Sequence, residues 1–338
     1  MKKTLTYDDV NIVPKYSELE HRSDCNLNTK ITKNIELKIP VVSSPMDTIT
    51  ELDMAWKLSH LGGIGFIHRF MDIEKQSELV ASMGDLKVGA AVGVTGDWFE
   101  RAQELINNGC NVLLIDVAHG HHKLVKNALR RLKNEISNTF EVIAGSIATS
   151  EAARQICEWG ADGVRVGIGN GSLCETRIRT GVGIPSITSI LDCVAVCDNF
   201  GVPVIADGGI RNVGDACKSL GAGADCFMLG SLLSGTKETP GEIEKVGKWP
   251  NEQLYKKYRG SSSIDSKKER GEEKNVEGNT KIVPYKGKIK RIIGDIEEGI
   301  RSSFSYVGAN DISEFHSKVE FVEVTKAGQI EALPHLLS

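Results

Sequence analysis

Residues 204–230 read VIADGGIRNVGDACKSLGAGADCFMLG and contain one complete strand–helix–strand unit. Val204–Asp207 is a short apolar run that ends in a carboxylate followed by two glycines. Residues 213–220 carry apolar side chains at helical spacing, and Cys226–Leu229 is a second apolar run. Two strands that are joined by a helix usually lie parallel in one sheet, because a parallel pair needs a long crossover connection. The stretch therefore predicts an α/β protein with a parallel sheet.

The same unit recurs along the chain. Apolar runs that predict strands lie at residues 39–43, 63–67, 88–92, 112–116, 141–144, 163–166, 204–207 and 226–229. Amphipathic stretches that predict helices lie at residues 51–61, 98–108, 124–136, 150–159, 187–200 and 213–220. Strands that are apolar throughout are buried on both faces, as in a barrel surrounded by helices. We predict a single (β/α)8 TIM barrel over residues 1–338 without a separate regulatory domain; an open doubly wound sheet is the alternative, because counting strands does not prove closure.

Polar residues and glycines collect where the predicted strands end. They lie at residues 43–47, 67–69, 116–120, 167–174, 207–209 and 230–231. In a TIM barrel the loops after the strands share the face that carries the active site. Residues 256–286, after the eighth strand, are rich in charged residues, Ser and Gly. We predict that this segment is a mobile flap over the site, followed by a helix at residues 287–301.

Composition excludes several classes of partner. The 41 Lys and Arg residues are balanced by 45 Asp and Glu residues, and no basic run is suited to a phosphate backbone, so we expect no nucleic-acid partner. No apolar stretch has the length of a signal peptide core or of a membrane span, so we expect no membrane partner. The eight cysteines are scattered without Cys-x-x-Cys pairs, which is typical of a reducing compartment. We therefore expect a cytoplasmic protein whose cysteines are mostly small core residues.

One cysteine lies in a different setting. Cys174 follows three glycines, Gly167, Gly169 and Gly171, just after the sixth predicted strand, and a hydroxyl residue, Thr176, follows it. Glycines let the backbone approach a ligand closely and turn its polar groups toward it. A thiolate in such a polar turn is a nucleophile, and a neighbouring hydroxyl can relay a proton. We interpret Cys174 as a catalytic nucleophile assisted by Thr176.

Two further loops indicate a phosphate site. Asp207, Gly208 and Gly209 follow the seventh predicted strand, and Gly230 and Ser231 follow the eighth. The loops after these two strands commonly bind phosphate in TIM barrels through backbone N–H groups. The carboxylate of Asp207 is suited to a ribose diol. The alternative is that these glycines serve only the tight turns.

Short blocks in order along the chain resemble the IMP dehydrogenase and GMP reductase family. They are SPMDT at 44–48, GIGFIH at 63–68, GIGNGSLCET at 167–176, TGVG at 180–183, DGGIR at 207–211, MLGS at 228–231, YRG at 258–260 and RSS at 301–303. The resemblance implies that Cys174 attacks C2 of a purine nucleotide. The chain departs from the family pattern at Asn170, Glu175 and Ser261, which concerns the rigidity of the loop and affinity more than the chemistry.

The resemblance also implies a set of binding residues. Those implied for the nucleotide are Ser44, Met46, Ser172, Asp207, Gly208, Gly209, Gly230, Ser231, Tyr258, Gly260 and Gly278. Carbonyl groups of Gly167, Gly169 and Cys174 resemble a loop that binds a monovalent cation, potassium. The family likeness further implies a homotetramer whose partner is a small-molecule purine nucleotide, GMP or IMP.

The segment after Ser261 favours the reductase within this family. The dehydrogenases activate water with an Arg-Tyr pair on a long flap, whereas here Arg270 is followed by Gly271 and no tyrosine occurs before Glu277. By likeness to bacterial reductases, Glu277 assists Thr176 in protonating the leaving ammonia. Asp116 and Arg69 then lie near the nicotinamide of NADPH, and the residues implied for the cofactor are Asp116, Ala118, His119 and Gly120.

Other blocks resemble the dehydrogenase, which would use NAD and IMP. They are Ser44-Pro45, Arg211, Tyr258-Arg259, and the tail from Ala327-Gly328 to Pro334-His335. Two alternatives belong to other classes of protein. One is a barrel that only binds purine nucleotides, but such a protein would not require Cys174, Thr176 and Glu277 together. The other is a flavin-dependent oxidase. A metal site at His119, His121 and His122 is disfavoured, because no pattern of carboxylates accompanies these histidines.

Overall fold

The computed structural model describes residues 2–136, 140–247, 251–269 and 276–333, and at its centre eight parallel strands close into a barrel. The strands are β1 (Val41–Ser43), β2 (Ile64–Ile67), β3 (Gly89–Val92), β4 (Val112–Asp116), β5 (Glu141–Ile147), β6 (Gly163–Val166), β7 (Val204–Asp207) and β8 (Cys226–Leu229). Closure is made by β8 and β1, where Phe227 lies opposite Val41 and Leu229 opposite Ser43. The predicted TIM barrel is confirmed and the open sheet is wrong.

Two apolar layers explain why these strands are apolar throughout. Alternate residues of each strand point into the barrel or out toward the helices. The inner layer contains Phe66 and Leu114, and Ile31 joins it from the two-stranded hairpin Thr29–Lys30 and Glu36–Leu37. Gly89 lies where an added Cβ would overlap the ring of Phe66. Neither face of a barrel strand therefore offers room for solvated side chains along most of its length.

Helices surround the barrel at each of the predicted positions, and one that was not predicted, Ile73–Ala81, follows the second strand. They are α1 (Leu52–His60), α2 (Ile73–Ala81), α3 (Trp98–Asn107), α4 (Lys123–Arg131), α5 (Ser150–Glu158), α6 (Ser186–Cys197), α7 (Val213–Gly221) and α8 (Ile289–Val307). A π-helical turn, Leu132–Ile136, extends α4, and a short helix, Thr176–Thr180, precedes α6.

Polar side chains define where several of these helices begin. The side chains of Asp72, Thr149 and Asn212 accept hydrogen bonds from the backbone N–H groups of the first turns of α2, α5 and α7. Such caps satisfy N–H groups that have no partner within a helix. The loops that lead from the strands into these helices are therefore held in a defined conformation at the edge of the barrel.

The segment after β8 differs from the expected structureless flap. Its described parts form an antiparallel sheet of Glu244–Val246, Gln253–Arg259 and Thr280–Pro284, with a short helix at Ile264–Glu269. The polar composition of the segment gave no sign of these strands. A sheet that packs against the barrel through one face has its other face in solvent, and that face carries many polar side chains. Arg270 and Gly271, on which the comparison with the dehydrogenase flap rests, lie outside the described residues.

The two ends of the described chain meet. Strand Val10–Ile12 pairs antiparallel with Phe321–Glu323, between the helices Ile312–Lys318 and Lys326–Glu331. Three 3-10 turns complete the elements: Tyr7–Asp9, Arg22–Asp24 and Asp198–Phe200. No helix in the four described ranges combines the length and the apolar character needed to cross a membrane.

Candidate active site

The loops after the strands enclose a cleft with a volume of about 390 Å3. It lies at the face of the barrel where the strands end, and the described part of the segment after β8 contributes to it as well. The predicted catalytic and nucleotide-binding residues all line it: Arg69, Asp116, Cys174, Thr176, Glu277, Ser44, Met46, Ser172, Asp207, Gly208, Gly209, Gly230, Ser231, Tyr258, Gly260 and Gly278. Residues that are up to 234 positions apart in the chain therefore share one cavity.

Cys174 differs from the other cysteines in its exposure. All eight are free thiols, but Cys174 is partly exposed whereas the other seven are buried. Cys193 and Cys197, four residues apart on α6, are both fully buried. The expectation that most cysteines are core residues is confirmed, and the one thiol open to the cleft is the predicted nucleophile.

A close approach of two loops shapes the segment that carries Cys174. Gly167 has a φ of +149°, and a Cβ at this position would overlap the carbonyl oxygen of Asp207. Only glycine tolerates both conditions. The chain then turns so that the backbone N–H of Cys174 donates to the carbonyl of Gly171 over 3.0 Å. The glycines thus bring the loop that carries Cys174 against the end of β7.

Backbone hydrogen bonds join this loop to the distant segment that carries Glu277. Glu175 donates its N–H to the carbonyl of Glu277 over 2.8 Å, and Asn279 donates to the carbonyl of Leu173 over 3.1 Å. The side chain of Asn279 also donates to the carboxylate of Glu175 over 2.7 Å. Cys174 and Gly278 form an antiparallel bridge between the two segments. The position of Glu277 is therefore set by main-chain bonds on both sides of it.

Within this frame three side chains form a hydrogen-bonded chain. The Sγ of Cys174 lies 3.1 Å from the Oγ1 of Thr176, and the Oγ1 of Thr176 donates to the Oε2 of Glu277 over 2.7 Å. A hydroxyl between a thiol and a carboxylate can accept a proton from one side and donate its own to the other. The arrangement can therefore move a proton between the nucleophile and the carboxylate, or between the carboxylate and a bound leaving group.

The other side of the cleft is formed by the ends of β7 and β8. Asp207 leads into Gly208 and Gly209, which both have positive φ values, of +86° and +81°. Tyr258 lies across from these loops, with its hydroxyl 3.2 Å from the Oγ of Ser172. The hydroxyl of Tyr258 would also lie 3.1 Å from a Cβ added at Gly230. These residues build a polar floor that is open to a ligand bearing hydroxyl and anionic groups.

A buried cation lies beneath this floor. Arg165 is 5% exposed, and its Nη2 donates to the Oδ1 of Asp116 over 2.8 Å, while its Nε lies 3.9 Å from the Oδ2 of Asp207. Burial raises the pKa of Asp207, the charge of Arg165 opposes this effect, and the charge of Asp116 adds to it. The two predicted carboxylates therefore share one buried guanidinium.

Sequence reasoning missed Arg165 although the strand GVRV carries a usable signal. A charged residue in the middle of a short apolar strand must be paired where it is buried. Lys267 also lines the cleft without having been expected. It lies on the helix Ile264–Glu269, inside a segment that the sequence presented as a polar loop, and no pattern singled it out.

The residues expected near the cofactor divide into two groups. Asp116 and Ala118 line the cleft, together with Arg69, whose guanidinium lies 5.1 Å from the centre of the Phe70 ring. Gly120 instead packs against the backbone of β5, with its N–H donating to the carbonyl of Ser146 over 2.7 Å, and His119 is exposed beside the cleft. The cofactor roles of Asp116, Ala118, His119 and Gly120 all stay predictions.

The loop expected to bind potassium lies on the same wall. Gly167, Gly169 and Cys174 all contact the cleft, and their proposed ligands are carbonyl oxygens. Among the described residues, no group of three or more His, Cys, Asp or Glu side chains is arranged to hold a metal ion. His121 contacts the Oε1 of Gln155 at 3.0 Å. The potassium loop stays a prediction.

Comparison with known proteins identifies the family. A model described as "IMP dehydrogenase / GMP reductase domain" matches residues 4–335. The chain is 39% identical to inosine-5'-monophosphate dehydrogenase of Cryptosporidium parvum, covering 98% of this chain and 95% of the relative. It is 30% identical to GMP reductase of Leishmania major, covering 99% and 97%.

A solved structure agrees with this result. The structure of a Cys-to-Ala variant of GMP reductase from Trypanosoma brucei in complex with guanosine 5'-monophosphate is 29% identical and superposes with a TM-score of 0.94, over 99% of this chain and 98% of that one. The barrel, the site and the family model thus lead to one conclusion: the chain belongs to the IMP dehydrogenase and GMP reductase family of oxidoreductases.

Proposed function

We propose that this protein is a GMP reductase, which uses NADPH to convert GMP to IMP and ammonia through a covalent bond between Cys174 and the purine. The observation that carries this proposal is the hydrogen-bonded chain of Cys174, Thr176 and Glu277. It provides a nucleophile and a proton donor for a leaving amine in one place. A barrel that only binds nucleotides would need neither.

The nucleotide would occupy the cleft between the two sets of loops. The similar enzyme from Trypanosoma brucei was solved with GMP, which supports a purine nucleotide as the ligand here. Asp207 would accept the ribose hydroxyls, and the N–H groups of Gly230 and Ser231 would bind the phosphate. Ser44 and Met46 would lie beside the base. Bound in this way, the nucleotide would present C2 of its purine to the thiol of Cys174.

The proton chain accounts for the first half of the reaction. The sulfur of Cys174 bonds to C2 of GMP while its proton passes to Thr176, whose own proton passes to Glu277. The same path then runs in reverse: Glu277 returns a proton through Thr176 to the amino group, which leaves as ammonia. The thiol hydrogen and the amino group together make NH3, so atoms and charges balance without any outside proton.

The second half requires a hydride donor. NADPH, when bound, supplies a hydride to C2, and one proton from solvent restores the thiol as IMP leaves. The Nε of Arg69 is buried and finds no hydrogen-bond partner within the described part of the chain, and the ring of Phe70 offers a flat apolar face beside it. A carboxamide on a planar ring matches these two groups, and Asp116 and Ala118 would complete its surroundings.

IMP dehydrogenase is the second candidate. Cryptosporidium parvum inosine-5'-monophosphate dehydrogenase is 39% identical to this chain, more than the 30% of Leishmania major GMP reductase. That reaction must activate water to hydrolyse the covalent intermediate. The sequence between Ser261 and Glu277 contains no tyrosine for the Arg-Tyr pair used there, whereas Thr176 and Glu277 complete the reductive reaction. We therefore favour the reductase.

One assay separates the two candidates. The purified protein is mixed with GMP and NADPH, or with IMP and NAD, and absorbance at the nicotinamide band is followed together with ammonia release. We expect NADPH oxidation with one ammonia per turnover, and very slow NAD reduction. Steady conversion of IMP to XMP without ammonia from GMP would show that the protein is a dehydrogenase. Replacing NADPH by NADH in the first mixture determines which of the two is used.

A further inference from the structure

We propose that Arg165 is a positioning residue that couples the two halves of the active site. A single buried guanidinium donates a hydrogen bond to Asp116, on the cofactor side, and forms an ion pair with Asp207, on the nucleotide side. This inference rests on the proposed function, because it assigns Arg165 to the nucleotide and cofactor cleft described above. It predicts that a change at the cofactor side alters nucleotide binding across the cleft.

The barrel directs Arg165 inward. Its neighbours on β6, Val164 and Val166, belong to the outer apolar layer against the helices, so the alternation of the strand turns Arg165 toward the barrel axis. A Cβ at Gly145 on β5 would overlap the backbone and Cβ of Arg165. Glycine at this position therefore lets the two strands approach where the guanidinium enters the barrel.

Burial makes the pairing of this cation obligatory. Arginine keeps its charge in proteins, and a buried charge is costly unless opposite charges and hydrogen bonds compensate it. Arg165 donates to Asp116 over 2.8 Å but only approaches Asp207, and its Nε makes no hydrogen bond to any described residue. The Nε–H of Arg165 is thus a hydrogen-bond donor that lies on the side of Asp207 and is available to it.

The two carboxylates depend on Arg165 to different degrees. Asp116 lies between two cations, because the Nε of Arg69 is 3.9 Å from its Oδ2. Arg165 is the cation that compensates the charge of Asp207, whereas the negative charge of Asp116 raises the pKa of Asp207. The tyrosines Tyr7 and Tyr258 also face Asp207, and burial raises the pKa of both, so they are neutral over the range in which a carboxylate titrates. Loss of Arg165 therefore affects Asp207 more than Asp116.

The consequence concerns the decline of nucleotide affinity toward low pH, which we call the acid limb of binding. An ionised Asp207 accepts two ribose hydroxyls, and a protonated one accepts them poorly. Removing Arg165 leaves burial and the charge of Asp116 to raise the pKa of Asp207, so binding should weaken at a higher pH. Removing the charge of Asp116 should act in the opposite direction, because Asp116 raises the pKa of Asp207 and competes with it for Arg165.

The test measures GMP binding by calorimetry between pH 5 and 9 in a Cys174→Ala background, where no turnover occurs. The variants are Arg165→Gln, Arg165→Lys and Asp116→Asn. The matched control is Arg101→Gln, which removes another buried arginine, paired with Asp97 and Gln76 on the outer helices. The phosphate of GMP itself titrates near pH ~6, but equally in every variant, so differences between variants report on the protein.

We expect the acid limb to move up by about one pH unit in Arg165→Gln, which weakens binding about tenfold on that limb. Arg165→Lys should restore most of the loss, and Asp116→Asn should move the limb down. Arg101→Gln should lower stability but leave the limb in place. An acid limb that stays unchanged in Arg165→Gln overturns the proposal. If that variant does not fold, an unmoved limb in Asp116→Asn overturns it equally.

These outcomes are separate from a failure of the proposed function. The turnover assay of the wild-type protein decides between reductase and dehydrogenase, and it does not depend on Arg165 variants. Binding of IMP is measured beside that of GMP in each variant, since both nucleotides carry the same ribose and phosphate. The coupling can thus be confirmed in a protein that proves to be a dehydrogenase, or overturned in one that proves to be a reductase.

Discussion

The Oγ1 of Thr176 donates a hydrogen bond to the Oε2 of Glu277 over 2.7 Å, although the two residues are 101 positions apart. Thr176 begins the short helix after the cysteine loop, and Glu277 comes from the segment after β8. Their contact is maintained by main-chain bonds between Glu175 and Glu277 and between Leu173 and Asn279. The hydrogen bond between Thr176 and Glu277 therefore depends on the pairing of these two segments.

Glu277→Gln should slow GMP deamination severely, because an amide can accept the hydrogen bond from Thr176 but cannot carry its proton. Loss of general acid–base assistance typically costs about 10²–10⁴ in rate. We expect kcat to fall within that range while KM for GMP changes little, since the nucleotide contacts lie elsewhere. Steady-state kinetics with GMP and NADPH measure both.

Glu175→Gln is the matched control for this prediction. Glu175 lies in the same loop, but its carboxylate accepts from Arg179 and Asn279 and makes no hydrogen bond to Thr176 in the described structure. We expect its kcat to stay within a few-fold of the wild type. Equal losses in both variants would mean that Glu277 only supports the loop.

Cys174→Ala should abolish turnover while GMP binds with nearly unchanged affinity, because the proposed ribose and phosphate contacts come from the loops at the ends of β7 and β8. Calorimetry measures the binding, and a nucleotide-dependent assay of NADPH oxidation measures the turnover. Cys110→Ala serves as a control, since this thiol is buried in the core and donates to the backbone carbonyls of Val88 and Val112. Substantial residual activity in Cys174→Ala excludes a covalent mechanism.

Asp207→Ala should weaken nucleotide binding by about 1.5–3 kcal/mol if its carboxylate accepts the ribose hydroxyls in charge-assisted bonds. The dissociation constant of GMP, measured by calorimetry, reports the effect directly. Asp192→Ala is the control, because Asp192 pairs with Lys2 on the surface of the protein. An unchanged dissociation constant in Asp207→Ala shows that the aspartate serves only the turn before Gly208.

Asp225→Asn should change how stability depends on pH. The Oδ2 of Asp225 accepts the N–H of Val204 over 2.8 Å, and burial raises the pKa of Asp225 to about 7. An unfolded aspartate titrates near ~3.9, so between pH ~4 and about 7 the folded state holds a proton that the unfolded state has lost. The stabilisation from this group is therefore complete below pH ~4 and is lost as the pH rises through about 7.

The melting temperature between pH 4 and 8 measures this effect. Asparagine still accepts the hydrogen bond of Val204 but does not titrate, so the variant should lose part of the decline in stability that the wild type shows over this range. Asp192→Asn provides a surface control that should follow the wild-type curve. Parallel curves for Asp225→Asn and the wild type would contradict the prediction.

The barrel itself was predictable from sequence because its signal is local. Strands β4, β6, β7 and β8 begin and end at the predicted residues, since each is a continuous apolar run between polar turns. β5 continues to Ile147, beyond its predicted end at residue 144. The prediction stopped there because Gly145 and Ser146 interrupt the apolar run. Helix α8 likewise continues to Val307, beyond the expected end at residue 301.

The segment after β8 shows where local patterns fail. Strand Gln253–Arg259 has the polar sequence QLYKKYR, and its order comes from pairing with Glu244–Val246 and Thr280–Pro284. An ion pair of Arg259 with Asp47, at 2.8 Å between Nη2 and Oδ2, attaches it to the end of β1. Such long-range contacts leave no hydrophobic period in the sequence.

Sequence alone predicted the barrel from apolar periodicity, Cys174 as a candidate nucleophile from its glycine-rich loop, and most cleft residues from the family resemblance of short motifs. Tertiary structure decided the rest. The distance between Thr176 and Glu277, the exposure of Cys174 against seven buried thiols, and the placement of Arg165 between Asp116 and Asp207 each depend on segments far apart in the chain. Charge pairing inside a barrel is set by which strands become neighbours and which faces turn inward, and only the closed fold defines both.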